Sequence, residues 1–289
     1  MNYKIVTDSC ANLTDEIIDR YNIEVAPLFF VINGKEYASY AKDKPTELQK
    51  YYEMMKAKTT ISTACMSASA CEQTVEPLLK NGHDVLFLSF SSQLSASCSI
   101  AAQTLTRLRE KYPERTILHS DTLSGAMAQG LLAYRAAQKR ENGEDLQTVY
   151  GWVEKNKTKA CHIFTLDDLS YLHKGGRIKK VSYLIASTLN IKPLLQVDNE
   201  GKIVPAGKAL GKRAAMMSTV KKFEELTAGT EVETLFVGHA NNLEDAEFLK
   251  KTILERVKVK EVIIHHIDMV LGAHIGPGAV GLFFLGAHR

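Results

Sequence analysis

His274 is the polar handle of an apolar run crowded with glycine, Ile267-Asp-Met-Val-Leu-Gly-Ala-His-Ile-Gly-Pro-Gly-Ala-Val-Gly-Leu-Phe-Phe284. Gly272, Gly276, Gly278 and Gly281 leave the backbone open to close approach, and Pro277 stiffens the turn. A binding wall with a single imidazole, able to donate to or accept from one polar group, fits that composition. A strand, a turn and a strand with His274 hydrogen-bonded in the core fits it equally.

Hydroxyl-rich points fall where strands are predicted to meet helices: Thr7-Asp8-Ser9, Ser62-Thr63, and Ser91-Ser92-Gln93-Leu94-Ser95. Each can simply cap its helix. Helix N-termini also attract anions, and open α/β sheets bind ligands at the carboxyl ends of strands, so the clustering points to a shared carboxylate or phosphate site. Ser95 with His274 also offers a nucleophile and a base for a hydrolase. The serine lacks the G-x-S-x-G elbow, and an orienting acid and oxyanion hole would be required. His265, His266 and Asp268 offer metal ligands, but adjacent strand residues point to opposite faces, and no metal is expected.

The elements that must position these groups alternate between β-rich runs and helical patterns, the signature of α/β layering. Strands are predicted at 5–7, 25–32, 85–90 and 116–120. Helices are predicted at 14–21, 45–55, 67–80, 95–111, 124–141 and 145–157. The run 85–90 is apolar enough for a strand buried on both faces of a parallel sheet, and Asn33-Gly34 signals a hairpin. In the second half, strands are predicted at 161–165, 192–197, 202–206, 235–239 and 262–267. Helices begin at Asp167-Asp168 and cover 181–189, 212–227 and 244–256. The expected fold is α/β in two domains: a mostly parallel α/β domain over 1–155 and a mixed α+β domain over 156–289, with a pocket between them.

At 289 residues, 45% hydrophobic and 24% charged, the chain can bury a substantial core. Its net charge of +3 is spread without a basic run, so no nucleic acid partner is expected. The first strand starts within a few residues of Met1 and no apolar run reaches membrane-spanning length, so a cytoplasmic protein without stable membrane insertion is expected. Cys10, Cys65, Cys71, Cys98 and Cys161 form no CxxC pair and read as reduced structural thiols. There is no Walker lysine loop and no glycine fingerprint after a strand, so no nucleotide cofactor is expected.

A series of motifs in chain order resembles the DegV family, which includes the lipid-binding subunits of bacterial fatty acid kinase. They are Thr7-Asp8-Ser9; Ser91-Ser-Gln-Leu-Ser95, resembling Ser-Ser-Gly-Leu-Ser; Lys174-Gly-Gly-Arg-Ile178; Ile191-Lys-Pro193; and Gly272-Ala-His-Ile-Gly-Pro-Gly278, resembling Ala-His-Thr-Gly-Pro-Gly. The resemblance implies a long-chain fatty acid in a tunnel between two domains, its carboxylate held by Thr63, Ser95 and His274. Ser62, Ser92, Gly276 and Gly278 are the supporting residues. It also implies a fatty acid kinase catalytic subunit as partner, with Arg177, Lys212 and Arg213 as contacts, and no catalysis by this chain alone. A buried methylene contributes about 0.8 kcal/mol, so a chain of about sixteen carbons carries roughly 12 kcal/mol of gross driving force. Phe29, Phe30, Phe90, Leu94, Ile163, Leu166, Leu169, Leu271 and Ile275 are candidate tunnel walls, each also readable as core.

The chain departs from the family pattern at several points. Thr-Ser-Gln-Pro reads Thr63-Ala-Cys-Met, with Ser62 as the neighbouring alternative. Leu210 stands where the family carries an arginine linked to kinase engagement, and a guanidinium is not replaced from a different position without loss. Ala96, Ala126 and Ala128 stand in place of glycines, and their methyls are expected to narrow or shorten the ligand space.

Overall fold

Short strands and capped helices follow one another through the computed structural model, which describes residues 2–42, 44, 46–178 and 190–289. The order in the first half is β1 (Tyr3–Asp8), α1 (Asp15–Arg20), β2 (Glu24–Ala26), β3 (Phe29–Ile32), β4 (Lys35–Ala38), α2 (Leu48–Lys56), β5 (Ile61–Ala64), α3 (Ala68–Lys80), β6 (Asp84–Ser89), α4 (Ser97–Lys111), β7 (Ile117–Asp121), α5 (Ala126–Glu141) and α6 (Leu146–Asn156). The second half gives β8 (Ala160–Thr165), α7 (Ser170–Lys174), β9 (Ile191–Val197), β10 (Ile203–Leu210), α8 (Lys212–Thr227), β11 (Val232–His239), α9 (Leu243–Leu254), β12 (Val259–His266), α10 (Met269–Ile275) and β13 (Val280–Leu285). The helix expected over 181–189, and Pro45 at the expected start of α2, lie outside the described residues.

Three sheets result. The first is parallel, in the order β2-β1-β6-β7, and its inner strand β6 buries Val85, Leu86, Phe87 and Leu88 completely, as its unbroken apolar run requires. The second has the order β10-β9-β8-β13-β11-β12, antiparallel except for the β11–β12 pair. The third, β4-β3-β5, was not expected. The run read as one strand over 25–32 is cut at Pro27, which cannot donate to a ladder. Its first part joins β1, and its second part turns into the small antiparallel sheet. The hairpin at Asn33-Gly34 forms as read, with φ of 51° and 77°.

Helix α5 joins the two large sheets. Ala126, Ala128, Ala133, Ala136 and Ala137 are buried along it, and their small side chains let Phe236 of β11 and Phe283 of β13 share a core with Ile5 of β1 and Leu88 of β6. The third sheet and α2 close the other side, where Phe30, Ile32 and Tyr52 pack with Leu166, Leu172 and Met269. The candidate site lies where these layers converge.

Candidate functional site

Four separate segments converge on one chamber. Thr63 projects from β5, Ser95 from the loop between β6 and α4, His274 from the last turn of α10, and Arg177 from the turn after α7. The loop carrying Ser95 is anchored by Asp8 at the end of β1, whose carboxylate accepts Phe90 N at 2.7 Å and Cys10 N at 3.1 Å. Ser9 Oγ accepts Leu28 N at 2.9 Å. Thr7-Asp8-Ser9 therefore acts as a buried clamp and is not an anion site. Burial raises the Asp8 carboxyl to about 6.

Asp268 caps α10 by accepting Leu271 N at 3.0 Å and also accepts the Ser39 hydroxyl. Gly272 lets the helix settle on Tyr52, because a Cβ there would lie 2.5 Å from the phenol oxygen. Arg177 is swung inward by a Schellman turn: Arg177 N donates to Leu172 O and Gly176 N to His173 O, both at 3.0 Å, with Gly176 at φ 72°. Its Nε donates to Leu94 O at 3.1 Å, and its Nη1 to Gly175 O. One guanidinium thus braces the loop of Ser95 and the glycine behind His274.

Within the chamber, His274 Nε2 lies 2.9 Å from Thr63 Oγ1. Ser95 Oγ lies 2.9 Å from Ser97 Oγ, accepts Ser97 N at 3.1 Å and approaches Cys65 Sγ at 3.8 Å. Burial and, secondarily, the Arg177 charge lower the His274 imidazole to about 4, so it is neutral near pH 7. The chamber offers about 540 Å³ of free space, part of it open to solvent. It adjoins a second chamber of about 500 Å³, with Phe90, Leu94, Ile203, Leu271 and Ile275 as common walls. Apart from His162, whose Nε2 lies 3.1 Å from Gly125 N, the side chains of the second chamber are apolar. A chamber whose apolar walls hold a cluster of hydroxyls, an imidazole and a guanidinium, beside a more uniformly apolar one, suits an amphiphile with an anionic end. It does not form a Ser–His pair, since His274 is taken by Thr63 and Ser95 by Ser97.

A family model described as an uncharacterised protein of the DegV family matches residues 2–287. The chain belongs to the DegV family. A DegV domain-containing protein of Clostridium perfringens is 34% identical over 284 residues, 98% of this chain and 97% of its own length. A DegV lipid-binding protein of Thermotoga maritima superposes with a TM-score of 0.87 at 26% identity, covering 100% of both chains. A fatty-acid-binding DegV protein of Streptococcus agalactiae gives a TM-score of 0.85 at 27% identity, again over 100% of both.

Measured on this DegV fold, the residues named from sequence separate into two groups. Thr63, Ser95 and His274 meet in the chamber, and Phe90, Leu94, Leu271 and Ile275 form its walls, whereas Phe30, Ile163, Leu166 and Leu169 pack in the core. Ser62 and Ser92 are exposed and line neither chamber. Gly276 (φ 75°) and Gly278 (φ 86°) also stand outside both, where a Cβ would meet the Tyr171 ring at 2.5 Å and the Asp167 carboxyl carbon at 2.9 Å, respectively. Their role is to shape the turn. Arg177, expected as a partner contact, lines the chamber. Lys212 is held between Asp167 at 3.1 Å and Asp245 at 2.8 Å, while Arg213 is exposed with its guanidinium 3.4 Å over the Phe248 ring. Leu210 is 72% exposed.

Sequence reasoning did not single out Ser97, Cys65 or Gly175 for this DegV site. Ser97 Oγ accepts Met66 N at 3.1 Å, tying α4 to the end of β5. Gly175 has ordinary helical φ, yet a Cβ on it would overlap His274 Nδ1 and lie 3.0 Å from Cε1. Gly175→Ala is expected to displace the imidazole at a cost of about 1–3 kcal/mol in stability, because overpacking forces a side chain off its rotamer. Loss of the Thr63–His274 contact in a structure of the variant would verify it; an unshifted ring would contradict it. His265 and His266 both border a separate cavity of about 880 Å³ together with Asp268. Among the described residues, no group of three or more His, Cys, Asp or Glu is arranged to hold a metal ion. No described helix is long and apolar enough to cross a membrane.

Proposed function

We propose that the chain binds a long-chain fatty acid, with the carboxylate in the chamber of Thr63, Ser95, His274 and Arg177 and the acyl chain in the adjoining apolar chamber. The observation that carries this reading is the pairing of the two chambers through common apolar walls. Fatty acid binding by the S. agalactiae relative and lipid binding by the T. maritima relative support it. The bound acid lies between a domain of residues 1–155 and one of residues 156–289. The chain acts in the cytoplasm without a cofactor and presents the carboxylate to a separate kinase subunit for conversion to acyl phosphate. Arg213 and Leu210 form the outward part of the partner surface, since Lys212 is engaged by two carboxylates and Arg177 faces inward.

The direct test is mass spectrometry of an organic extract from gently purified protein, beside native mass spectrometry of the intact chain. One fatty acid per chain is the expected result. A protein that is empty and takes up no added fatty acid would overturn the reading.

A further inference from the structure

We infer that Ala126 sets the acyl-chain length this protein accepts, its methyl group being kept in a strained backbone position to close the tail chamber. The inference rests on the fatty-acid reading above. Eight described residues other than glycine have positive φ. Five are asparagines, which tolerate the left-handed region, and Lys58 is exposed in a turn. The remaining two are Leu123 at φ 50°, in the connection between β7 and α5, and Ala126 at φ 49°, the first residue of α5.

That connection is pinned from both sides. Gly125 cannot carry a side chain, because a Cβ would lie 2.9 Å from Phe90 Cδ2, and its N–H donates to His162 Nε2 at 3.1 Å. Ala126 follows at 9% exposure and borders the tail chamber but not the head-group chamber, which places it away from the carboxylate end. Glycine would occupy this backbone conformation without penalty. Alanine strains it for the sake of one methyl group, which packs at the edge of the α5 core where that core borders the chamber. Strain kept beside a ligand cavity is the pattern of a residue held for its effect on the ligand.

The experiment compares wild type, Ala126→Gly and Ala136→Gly by native mass spectrometry against an equimolar series of straight-chain saturated fatty acids, and by thermal melting without ligand. Ala136 is buried in the same helix and borders neither chamber. Ala126→Gly is expected to raise the ratio of longer to shorter bound acid by about fourfold per methylene admitted, and not to lower the melting temperature. Ala136→Gly is expected to lower the melting temperature and leave the length profile unmoved. A wild-type length profile in Ala126→Gly, or a lowered melting temperature, overturns the inference while leaving fatty acid binding intact. A wild type that holds no fatty acid overturns both.

Discussion

Replacing Arg177 with methionine is expected to weaken binding of a long-chain fatty acid by about 10- to 100-fold, while the methyl ester of the same acid binds nearly as before. A hydrogen bond to a charged group contributes about 1.5–3 kcal/mol, which corresponds to that range. Arg177 is the cation lining the head-group chamber, and its charge already reaches His274, whose proton affinity it lowers. Methionine keeps an apolar stem of similar length and removes only the guanidinium. The ester separates two effects, because Arg177 also braces Leu94 and Gly175. If loss of that bracing dominates, acid and ester weaken together, and the proposed carboxylate contact is wrong. A second reading comes from an NMR titration of His274. Its imidazole should titrate above its present value of about 4, yet stay below the ordinary histidine range, because burial is the larger cause of its shift.

Arg177 also shows where sequence reasoning reached its limit. The motif Lys174-Gly-Gly-Arg-Ile178 gives a glycine turn and an arginine, but the direction of the guanidinium depends on a Schellman turn and on Leu94 O, a partner 83 residues away in sequence. His274 was legible as a functional residue because little else polar stands in its run. Its helix was not, because α10 has seven residues with Gly272 inside, and packing on Tyr52 together with the Asp268 cap outweighs propensity. Thr63 was placed near a helix start but belongs to a strand of four residues, too short for its alternation to register. Alternation does explain, after the fact, why Thr63 enters the chamber and neighbouring Ser62 is exposed. Periodicity also identified inward-facing apolar residues without telling cavity from core. Phe90 and Leu271 line the chambers and Phe30 does not, because that distinction depends on what faces them across the gap between sheets. The parallel sheet, the central apolar strand β6 and the alanine face of α5 were all readable, since each rests on local composition with one physical meaning.

Several histidines, including His274, are expected to make the ligand-free protein strongly sensitive to mild acid. Burial lowers His119, His239, His265 and His274 each to about 4, with smaller contributions from neighbouring charges, and holds His162 well below the ordinary histidine range. A histidine with a depressed folded pKa contributes stability that is complete above about pH 6.5 and is lost as pH falls toward 4, because the unfolded chain takes up protons that the folded chain refuses. Asp8 and Asp268 act in the opposite sense. Burial raises the Asp8 carboxyl to about 6 and raises Asp268 as well, so both gain a proton in the folded state first and favour folding as pH falls toward 4. Each proton taken up only on unfolding contributes a slope of about 1.4 kcal/mol per pH unit. With five such histidines against two opposing carboxylates, about three protons net are taken up on unfolding, and a loss of about 3–4 kcal/mol per unit between pH 6 and 5 is expected, a large share of an ordinary domain stability of about 5–15 kcal/mol. Urea unfolding followed by the fluorescence of Trp152, the one tryptophan, at pH 7.5, 6.5 and 5.5 measures it. Equal stability at all three would show that these histidines are not held neutral. The fatty acid should blunt the effect: a carboxylate beside His274 favours the imidazolium and raises its pKa, so the loaded protein refuses one proton fewer. A shallower acid slope for loaded than for empty protein, abolished in His274→Gln, would tie the head-group chamber to the ligand through one titrating group. Parallel slopes would separate them.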